Sequence, residues 1–393
     1  MTIAVDIDKS IEKSSWIRKM FEQGALLKAR HGADAVFDFS LGNPNLPPPE
    51  SFQNALETVA LQKDSRAHGY MPNTGFPFVR EAIAQTLKRE QGVDVTADDI
   101  VVTCGAAGGL NVVLKSLLNP GEEVLVPRPF FVEYAFYAQN HGGVLKSVQT
   151  CRNFDLDIDA LESAITPATR VVLINSPNNP TGRIYTASLL GSLGEILGRK
   201  SREYGSVIYL VSDEPYRKIV FDGADVPPVF EFYPNSIVVT SHSKDISLPG
   251  ERIGYIALNP GAEYLDKLRQ ATALCNRILG FVNAPALMQR ILPMIQGATV
   301  DVEAYQRKRD ILCDALGAAG YSFTKPSGAF YLFPESPIED DVKFVQALQE
   351  ELILTVPGSG FGGPGHFRIA FCVDDETISR AIPGFERALK RFC

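Results

Sequence analysis

Short apolar runs rich in β-branched residues alternate with longer segments of helical periodicity over the first two thirds of the chain. Strands that are apolar on both faces and separated by helices are typical of a mostly parallel sheet covered on both sides. We predict strands at 100–103, 123–126, 144–148, 170–174, 207–211, 236–240 and 253–258. The helices predicted between them include 77–89, 107–118, 132–140 and 187–203. The pattern therefore indicates an α/β fold with a mostly parallel, seven-stranded sheet.

The pattern changes after Asn259, where long helical segments are followed by short strand-like pieces. We predict helices at 262–277, 284–295, 300–319, 342–351 and 375–391, and strands at 330–333, 353–356 and 367–372. This pattern is typical of a second, smaller α+β domain. Because the first sheet starts only near residue 98, part of the N-terminal segment is expected to join it. The predicted large domain is 55–285, and the predicted small domain combines 1–54 with 286–393.

Composition and charge narrow the class of protein. Of the 393 residues, 45% are hydrophobic and 21% are charged, and the formal net charge is -8. Without a block of Lys and Arg interleaved with aromatic residues, nucleic-acid binding is disfavoured. The chain contains no run of about 18 apolar residues, and its first residues are polar, so neither a membrane span nor a secretory signal is predicted.

The six cysteines are widely scattered and form no CxxC pair. We therefore predict reduced thiols in a cytoplasmic protein rather than disulfides, and we predict no metal site.

Four polar segments each follow or end a predicted strand. They are SPNNPTG at 176–182, SDEPY at 212–216, SHSKDISLPGER at 241–252 and FRI at 367–369. Ligands of open α/β sheets bind beyond the carboxyl ends of the strands. Asn179, Asp213 and Lys244 are therefore expected to converge although they are distant in sequence.

With these motifs in this order, the chain resembles the class I/II aminotransferases, the aspartate aminotransferase-like group of fold type I. The resemblance runs from about Phe39 to Phe371, and its most specific part is SxSK followed eight residues later by Arg, here Lys244 and Arg252. It implies a pyridoxal 5′-phosphate-dependent transferase that moves an amino group between an L-amino acid and a 2-oxo acid.

The resemblance assigns a role to each polar residue near the cofactor ring. Lys244 resembles the catalytic lysine that carries the cofactor as a Schiff base and then moves the Cα proton. Asp213, rather than its neighbour Glu214, resembles the carboxylate that pairs with the pyridine nitrogen. Asn179 and Tyr216 resemble the two hydrogen-bond donors to the phenolic oxygen.

The resemblance also assigns residues to the phosphate group and to the ring faces of the cofactor. A phosphate cup is implied from backbone N–H groups between a strand and a helix, two serines and one fixed positive charge. Its residues are Gly105, Ala106, Ala107, Ser241, Ser243 and Arg252. Phe131 resembles the aromatic residue that stacks on the ring, although Phe130 beside it competes for this role.

Further matches concern the substrate and a second subunit. Arg368 resembles the arginine that binds the substrate α-carboxylate with its planar guanidinium group. Asn179 is also expected to bind the substrate, and Gly42 resembles the loop glycine that closes over the substrate. Tyr70 resembles the tyrosine that reaches the phosphate of the neighbouring subunit, which implies a homodimer with shared active sites.

The substrate side chain is less well defined. Some aspartate-specific relatives carry a lysine at the position of Ala107, and here that position offers no charge. Arg18 or Arg277 could supply a charge, or both could be structural. Glutamate or 2-oxoglutarate is the implied partner of one half-reaction, with aspartate, alanine or an aromatic amino acid in the other, and we hypothesise a broad or neutral preference.

Two other functions remain open at this point. β-Lyases and related enzymes of the same fold keep the same lysine, aspartate and arginine, because the cofactor carries the chemistry. A non-catalytic regulator of this fold is disfavoured, since the residues before the first motif are too few for a DNA-binding module. His68 and His242 are assigned no catalytic role.

Overall fold

The structure is a computed structural model that describes residues 3–12 and 16–392. Its α-helices are α1 (Val5–Glu12), α2 (Trp16–His31), α3 (Glu50–Ala60), α4 (Pro77–Gln91), α5 (Gly105–Leu117), α6 (Glu133–Gln139), α7 (Ile158–Ala164), α8 (Ala187–Tyr204), α9 (Val229–Phe232), α10 (Leu265–Ile278), α11 (Ala286–Ile291), α12 (Val302–Ala319), α13 (Asp341–Glu350) and α14 (Asp375–Lys390). Its strands are β1 (Phe37–Asp38), β2 (Ile100–Thr103), β3 (Glu123–Arg128), β4 (Val144–Gln149), β5 (Thr169–Asn175), β6 (Tyr209–Asp213), β7 (Ser236–Ser241), β8 (Gly254–Leu258), β9 (Tyr331–Leu332), β10 (Ile353–Leu354), β11 (Val356–Pro357) and β12 (Phe367–Ala370).

The central sheet has seven strands in the order β2-β8-β7-β6-β5-β3-β4. Only β8 runs antiparallel to its two neighbours, and the remaining pairs are parallel. The predicted mostly parallel, seven-stranded sheet of an α/β fold is therefore confirmed.

Successive residues of β6 pack on opposite faces of this sheet, as the pleat of a strand requires. Tyr209 and Val211 join the cluster that includes residues of α5, α6 and α10. Leu210 joins the cluster on the other face with residues of α7 and α8. Both faces are covered, which explains why the strand sequences are apolar with little alternation.

The carboxyl ends of β5, β6 and β7 meet at one edge of the sheet. In the register of the strands, Asn175 lies beside Asp213, and Ser241 lies beside Gly254, the first residue of β8. We predicted the β6 strand at 207–211, whereas it runs to Asp213. The shift places the Asp213 side chain at the edge where ligands bind in such folds.

Two small sheets complete the structure. Strand β1 pairs in parallel with β10, and the three strands β11, β12 and β9 form an antiparallel sheet. A third core, rich in aromatic residues, packs between these sheets and helices α12, α13 and α14. Tyr216 and Phe221, from the loop after β6, also belong to this core.

Two local predictions differ from the structure. The single strand predicted at 353–356 is two short strands, because β10 pairs with β1 while β11 pairs with β12, and local periodicity carries no information about such distant partners. The helix predicted at 284–295 ends as α11 at Ile291 and continues as a 3₁₀ turn that contains Pro293. Proline lacks the N–H that an α-helix needs, so the ladder stops there.

Candidate active site

A cavity of about 360 Å³ lies at the carboxyl edge of the central sheet. Residues from the ends of β5, β6 and β7 line it together with residues of α5, the α6 segment and β12. The predicted site residues in this lining are Gly42, Ala106, Ala107, Phe131, Asn179, Asp213, Tyr216, Ser241, Ser243, Lys244, Arg252 and Arg368. One concave site thus collects side chains from distant parts of the sequence.

Lys244 lies in the loop that follows β7 and is half-buried. Its Nζ donates a hydrogen bond of 2.6 Å to the carbonyl oxygen of Gly42. Burial lowers the pKa of Lys244 to about 8, and the positive charges of Arg368 and Arg252 act in the same direction. About a tenth of this amine is therefore uncharged at pH 7, far more than for an ordinary lysine, and the uncharged form is the one that a nucleophile or a base requires.

Asp213 is the last residue of β6 and is buried. Its Oδ2 accepts a hydrogen bond of 2.6 Å from the hydroxyl of Tyr134, while its Oδ1 is buried without a hydrogen-bond partner among the described residues. Burial raises the pKa of Asp213 to about 7, opposed by the Tyr134 hydrogen bond and assisted by the charge of Glu214. A buried oxygen without a donor is costly, so the site suits a ligand that presents an N–H group.

The loop after β5 is tied to the same strand end. Asn175 Nδ2 donates to the main-chain carbonyl of Asp213 at 2.8 Å, and Asn175 Oδ1 accepts from the Asn179 amide at 2.7 Å. Glu214 has other partners, since it accepts from Ser212 at 2.8 Å and from Arg217 at 3.1 Å. Glu214 is also absent from the residues that line the cavity.

Arg368 is a buried cation held on several sides. It donates to Asn179 Oδ1 at 3.1 Å and to the carbonyl oxygen of Ser40 at 2.6 Å. The rings of Tyr331 and Phe361 lie 4.6 and 4.7 Å from its guanidinium carbon. Its Nε is buried without a partner among the described residues, so the group has capacity for a further anionic acceptor.

Tyr216 and Tyr331 form a hydroxyl pair on the wall of the cavity. Their oxygens are 2.8 Å apart, and their rings meet edge to face. The α-carbon of Gly42 packs so closely on Tyr331 that a Cβ there would overlap the tyrosine hydroxyl. Glycine at position 42 therefore allows the loop to reach both Tyr331 and Lys244.

The cavity lining also includes a set of groups suited to an anion, which we call the anion cradle. Ala106 and Ala107 are in the first turn of α5, where backbone N–H groups have no intrahelical acceptor. Ser241, Ser243 and Arg252 line the same cavity. The guanidinium of Arg252 packs against Gly105, which itself is outside the lining. Helix terminus, hydroxyls and fixed cation together suit a phosphate group.

Some residues named from the sequence lie elsewhere. Tyr70 is 95% exposed and is outside the cavity of its own chain. Arg277 is exposed near the end of α10 and does not line the cavity either. The side chain of Arg18 lies outside the described part of the structure. His242 Nδ1 contacts Asp245 at 3.1 Å and has no place in the lining.

The sequence reasoning missed Tyr134, Asn175 and Tyr331. Tyr134 lies three residues after Phe131, a spacing that places two residues on one side of a helical turn, and their rings are 5.6 Å apart, edge to face. This spacing is a usable signal for a shared face. The contact of Tyr134 with Asp213 depends on how α6 packs against β6, which the local sequence does not encode.

Among the described residues, no group of three or more His, Cys, Asp or Glu side chains could hold a metal ion. Within the same residues, every helix is too short or too polar to cross a bilayer.

Comparisons with known proteins agree with this geometry. The profile of the family described as aminotransferase class I and II matches residues 34–385. The aspartate/prephenate aminotransferase of Thermus thermophilus is 34% identical over 377 residues, which cover 93% of this chain and 94% of that protein. The probable aspartate aminotransferase of Methanocaldococcus jannaschii is 32% identical over 383 residues, covering 94% and 96%. The crystal structure of an amino transferase from Eubacterium rectale has a TM-score of 0.96 at 38% identity, covering 100% of this chain and 99% of that chain.

The match extends over nearly the whole chain in both sequence and structure. The resemblance inferred from the motifs is confirmed, and so are the α/β fold type I architecture and the enzyme class. This chain belongs to the class I and II aminotransferases, enzymes that move an amino group between an amino acid and a 2-oxo acid.

Proposed function

We propose that the cavity of this aminotransferase binds pyridoxal 5′-phosphate and uses Lys244 as its catalytic amine. The observation that carries the proposal is the buried Oδ1 of Asp213, which has no donor among the described residues and lines the same cavity as Lys244. A pyridine nitrogen that is protonated offers the N–H that this oxygen needs. The cradle around Arg252 fits the phosphate group.

Each part of the cofactor has candidate residues in the lining. Asp213 would face the ring nitrogen, and Asn179 and Tyr216 would donate to the phenolic oxygen. Phe131 would cover one ring face, in preference to Phe130, which is absent from the lining. The phosphate would be held by the first turn of α5, with Gly105 behind it, and by Ser241, Ser243 and Arg252. When bound, the cofactor supplies a carbonyl carbon that accepts the amino group and a ring that withdraws electrons from the substrate α-carbon.

The chain's own residues then bind the substrate and move its proton. Arg368 binds the α-carboxylate, and its clamped position between Tyr331 and Phe361 fixes the direction of the guanidinium plane. Asn179, already bonded to Arg368, orients the same end of the substrate. Lys244 Nζ would take the proton from the substrate α-carbon and deliver it to the cofactor carbon that receives the amino group, because its lowered pKa keeps the uncharged amine available.

For the substrates, we propose glutamate and 2-oxoglutarate in one half-reaction and a broad or neutral range of amino acids in the other. Ala107 adds no charge to the cavity wall. The cations of the lining are Lys244, Arg252 and Arg368, and each has another role in the proposal. A steady-state screen of aspartate, alanine and aromatic amino acids tests this range. Strong aspartate selectivity with weak turnover of alanine and aromatic substrates would contradict it.

The test of cofactor and mechanism uses the visible absorbance of the purified protein. We expect a visible absorbance band from a cofactor bound to Lys244. The band should bleach when glutamate is added alone, and the reaction should stop after one half-turnover. After treatment with borohydride, Lys244→Ala should carry no covalently attached cofactor. A variant that still retains a reducible, covalently bound cofactor would refute the assignment of Lys244. Continued release of ammonia from one amino acid alone would indicate a lyase instead.

We also propose a homodimer whose active sites are shared through Tyr70. The support is that Tyr70 is 95% exposed and lies outside the cavity of its own chain. A hydroxyl so exposed is available to a neighbouring subunit.

The cytoplasmic location stays a prediction.

For the division of the chain, we propose a large cofactor-binding domain and a small domain close to the predicted boundaries 55–285 and 1–54 with 286–393. Helix α11 packs with residues of α3 and α4 in one core, which supports moving the second boundary towards Val300. Limited proteolysis that cuts near residue 300 before it cuts within α11 would support this refinement, and early cleavage near residue 285 would oppose it.

A further inference from the structure

Tyr134 connects helix α6 to the carboxylate at the end of β6. Its side chain is 1% exposed, and its hydroxyl donates to Asp213 Oδ2 at 2.6 Å. Tyr134 and Phe131, both in the cavity lining, have their rings in edge-to-face contact. One tyrosine thus touches both the predicted partner of the ring nitrogen and the predicted stacking residue.

The two oxygens of Asp213 are in different situations. Oδ2 has Tyr134 as its donor, whereas Oδ1 is buried with no partner in the described part of the chain. The main chain at Asp213 is fixed separately, because Asn175 donates to its carbonyl oxygen. Rotation of the carboxylate is therefore restrained by the Tyr134 hydroxyl.

We infer that Tyr134 is a positioning residue that engages one oxygen of Asp213 and leaves the other for the cofactor's ring nitrogen. This inference rests on the proposed function, since it assumes that Asp213 meets that nitrogen. Tyr134 acts through Asp213 and takes no part in the proton transfers at the substrate.

The charged and titratable groups around Asp213 explain why the Tyr134 hydroxyl affects the ionisation of this carboxylate. Glu214 beside it, and Tyr137 and Tyr216 close to it, interact electrostatically with Asp213, and none of them is a cation. Among these neighbours the Tyr134 hydrogen bond favours the ionised carboxylate, while burial and Glu214 favour the protonated form. Without Tyr134, the pKa of Asp213 should rise further above its value of about 7.

Tyr134 is suited to remain a donor at every pH of interest. Burial, and then the nearby charge of Asp213, raise the pKa of Tyr134 well above its usual range. The hydroxyl therefore keeps its proton, and within this hydrogen-bonded pair only Asp213 titrates.

The decisive variant is Tyr134→Phe, which keeps the ring and removes only the hydroxyl. The dissociation constant of pyridoxal 5′-phosphate is measured for the apoprotein across a pH series. We expect binding about ten-fold weaker than wild type near pH 7, because a hydrogen bond to a charged group is lost. The gap should narrow as the pH rises towards about 9, where the carboxylate ionises in both proteins. The ionisations of Lys244 and of the cofactor are common to both proteins and cancel in the comparison.

Tyr233→Phe is the matched control. Tyr233 is also buried and donates to the carbonyl oxygen of Ile208 at 2.8 Å, away from the cavity. It should lose stability to a similar degree and keep the wild-type pH profile of cofactor binding. A purely structural role for Tyr134 predicts this same behaviour for Tyr134→Phe, so a pH-independent loss, or no loss, would overturn the inference.

A second readout needs no cofactor. The infrared carboxyl signal that disappears in Asp213→Asn reports the titration of Asp213 in the apoprotein. Its midpoint should move upward in Tyr134→Phe and stay unchanged in Tyr233→Phe; an unchanged midpoint in Tyr134→Phe would overturn the inference. A wild-type protein that binds no cofactor would instead refute the proposed function, so the two failures are distinguishable.

Discussion

Burial shifts the pKa values of Lys244 and Asp213 in opposite directions, and both shifts bring the pKa closer to neutral pH. The pKa of Lys244 falls to about 8, and the pKa of Asp213 rises to about 7. Removing a charge from water disfavours the cation of lysine and the anion of aspartate for the same reason. Near neutral pH both groups exist as mixtures of charged and uncharged forms, which suits acid–base work and makes the site sensitive to pH.

The shift at Lys244 predicts how fast the apoprotein captures its cofactor at each pH. Only the uncharged amine attacks a carbonyl carbon, and its fraction grows as the pH rises through the pKa. The rate constant for covalent capture should therefore increase with a midpoint near pH 8, well below the usual lysine value of 10.5. Rapid-mixing absorbance over a pH series measures it. A rate that keeps rising steeply up to about pH 10 would contradict the lowered pKa.

Gly42 offers a second prediction at the scale of one residue. Its carbonyl oxygen accepts the Lys244 hydrogen bond, and a side chain there would overlap the Tyr331 hydroxyl. Gly42→Ala should lower kcat/KM about ten-fold or more, because overpacking of this kind costs about 1–3 kcal/mol and displaces both contacts. Gly191→Ala is the control, since a Cβ at that position in α8 meets only Phe232 at 3.8 Å. Unchanged steady-state kinetics in Gly42→Ala would show that the loop adapts without cost.

Most of the residues that line the cavity could be predicted from short sequence motifs. Lys244, Asp213 and Arg368 each lie in a short segment after or within a predicted strand, and the topology of parallel strands brings such segments together. Their roles stay predictions. Tyr134 and Tyr331 could not be assigned from the sequence, because a tyrosine in a helix or strand has the same local pattern whether it reaches a carboxylate or only packs.

Among the elements, helix α5 is the one whose position controls the anion cradle. It packs against β7 through Gly109, where a Cβ would lie 2.7 Å from Val239 Cγ1. Real contacts of this kind are not seen at such a distance, so any side chain at 109 would push the helix away from the sheet. The first turn of α5 and Ser241 would then separate.

Two adjacent glycines of α5 therefore give a matched pair of variants. Gly109→Ala should weaken binding of pyridoxal 5′-phosphate about ten-fold, with a smaller effect on pyridoxal, which lacks the phosphate that we propose the helix terminus to hold. Gly108→Ala should leave both affinities unchanged, because a Cβ there meets Cys104 and Phe281 at 3.5 and 3.6 Å, an ordinary contact. Titration of the two apoproteins with both ligands measures this. Equal losses for pyridoxal and its phosphate would indicate a general disturbance of the cavity.

Elements were predictable where the hydrophobic pattern alone defines them. The strands of the central sheet fall within two residues of the prediction at every end, because burial on both faces leaves a strong apolar run. The two-residue strands β1, β10 and β11 exist only through their pairing with distant segments. Without knowledge of these distant partners, the sequence pattern predicts a single strand at 353–356.

For the whole molecule, exposed apolar side chains are relevant to assembly. Leu274 and Ile278 are exposed one turn apart on α10, Phe78 is exposed on α4, and Tyr70 lies in the loop before α4. Exposed apolar groups on α4 and α10 offer surface that a second subunit can cover. The homodimer therefore needs a test in which the two subunits can be distinguished.

A hybrid of two inactive or weakened variants provides that test. Lys244→Ala removes the proposed catalytic amine from its own cavity, and Tyr70→Phe removes the hydroxyl that we propose to reach the partner's cavity. In a hybrid dimer, the cavity that keeps Lys244 faces a subunit that keeps Tyr70, so that cavity should bind cofactor with wild-type affinity. The Tyr70→Phe homodimer should bind it about ten-fold more weakly, because a hydrogen bond to a charged phosphate is lost. Cofactor titration of differently tagged, co-purified hybrids measures both values. If the hybrid keeps the weaker affinity of Tyr70→Phe, Tyr70 serves its own subunit and the shared site is wrong.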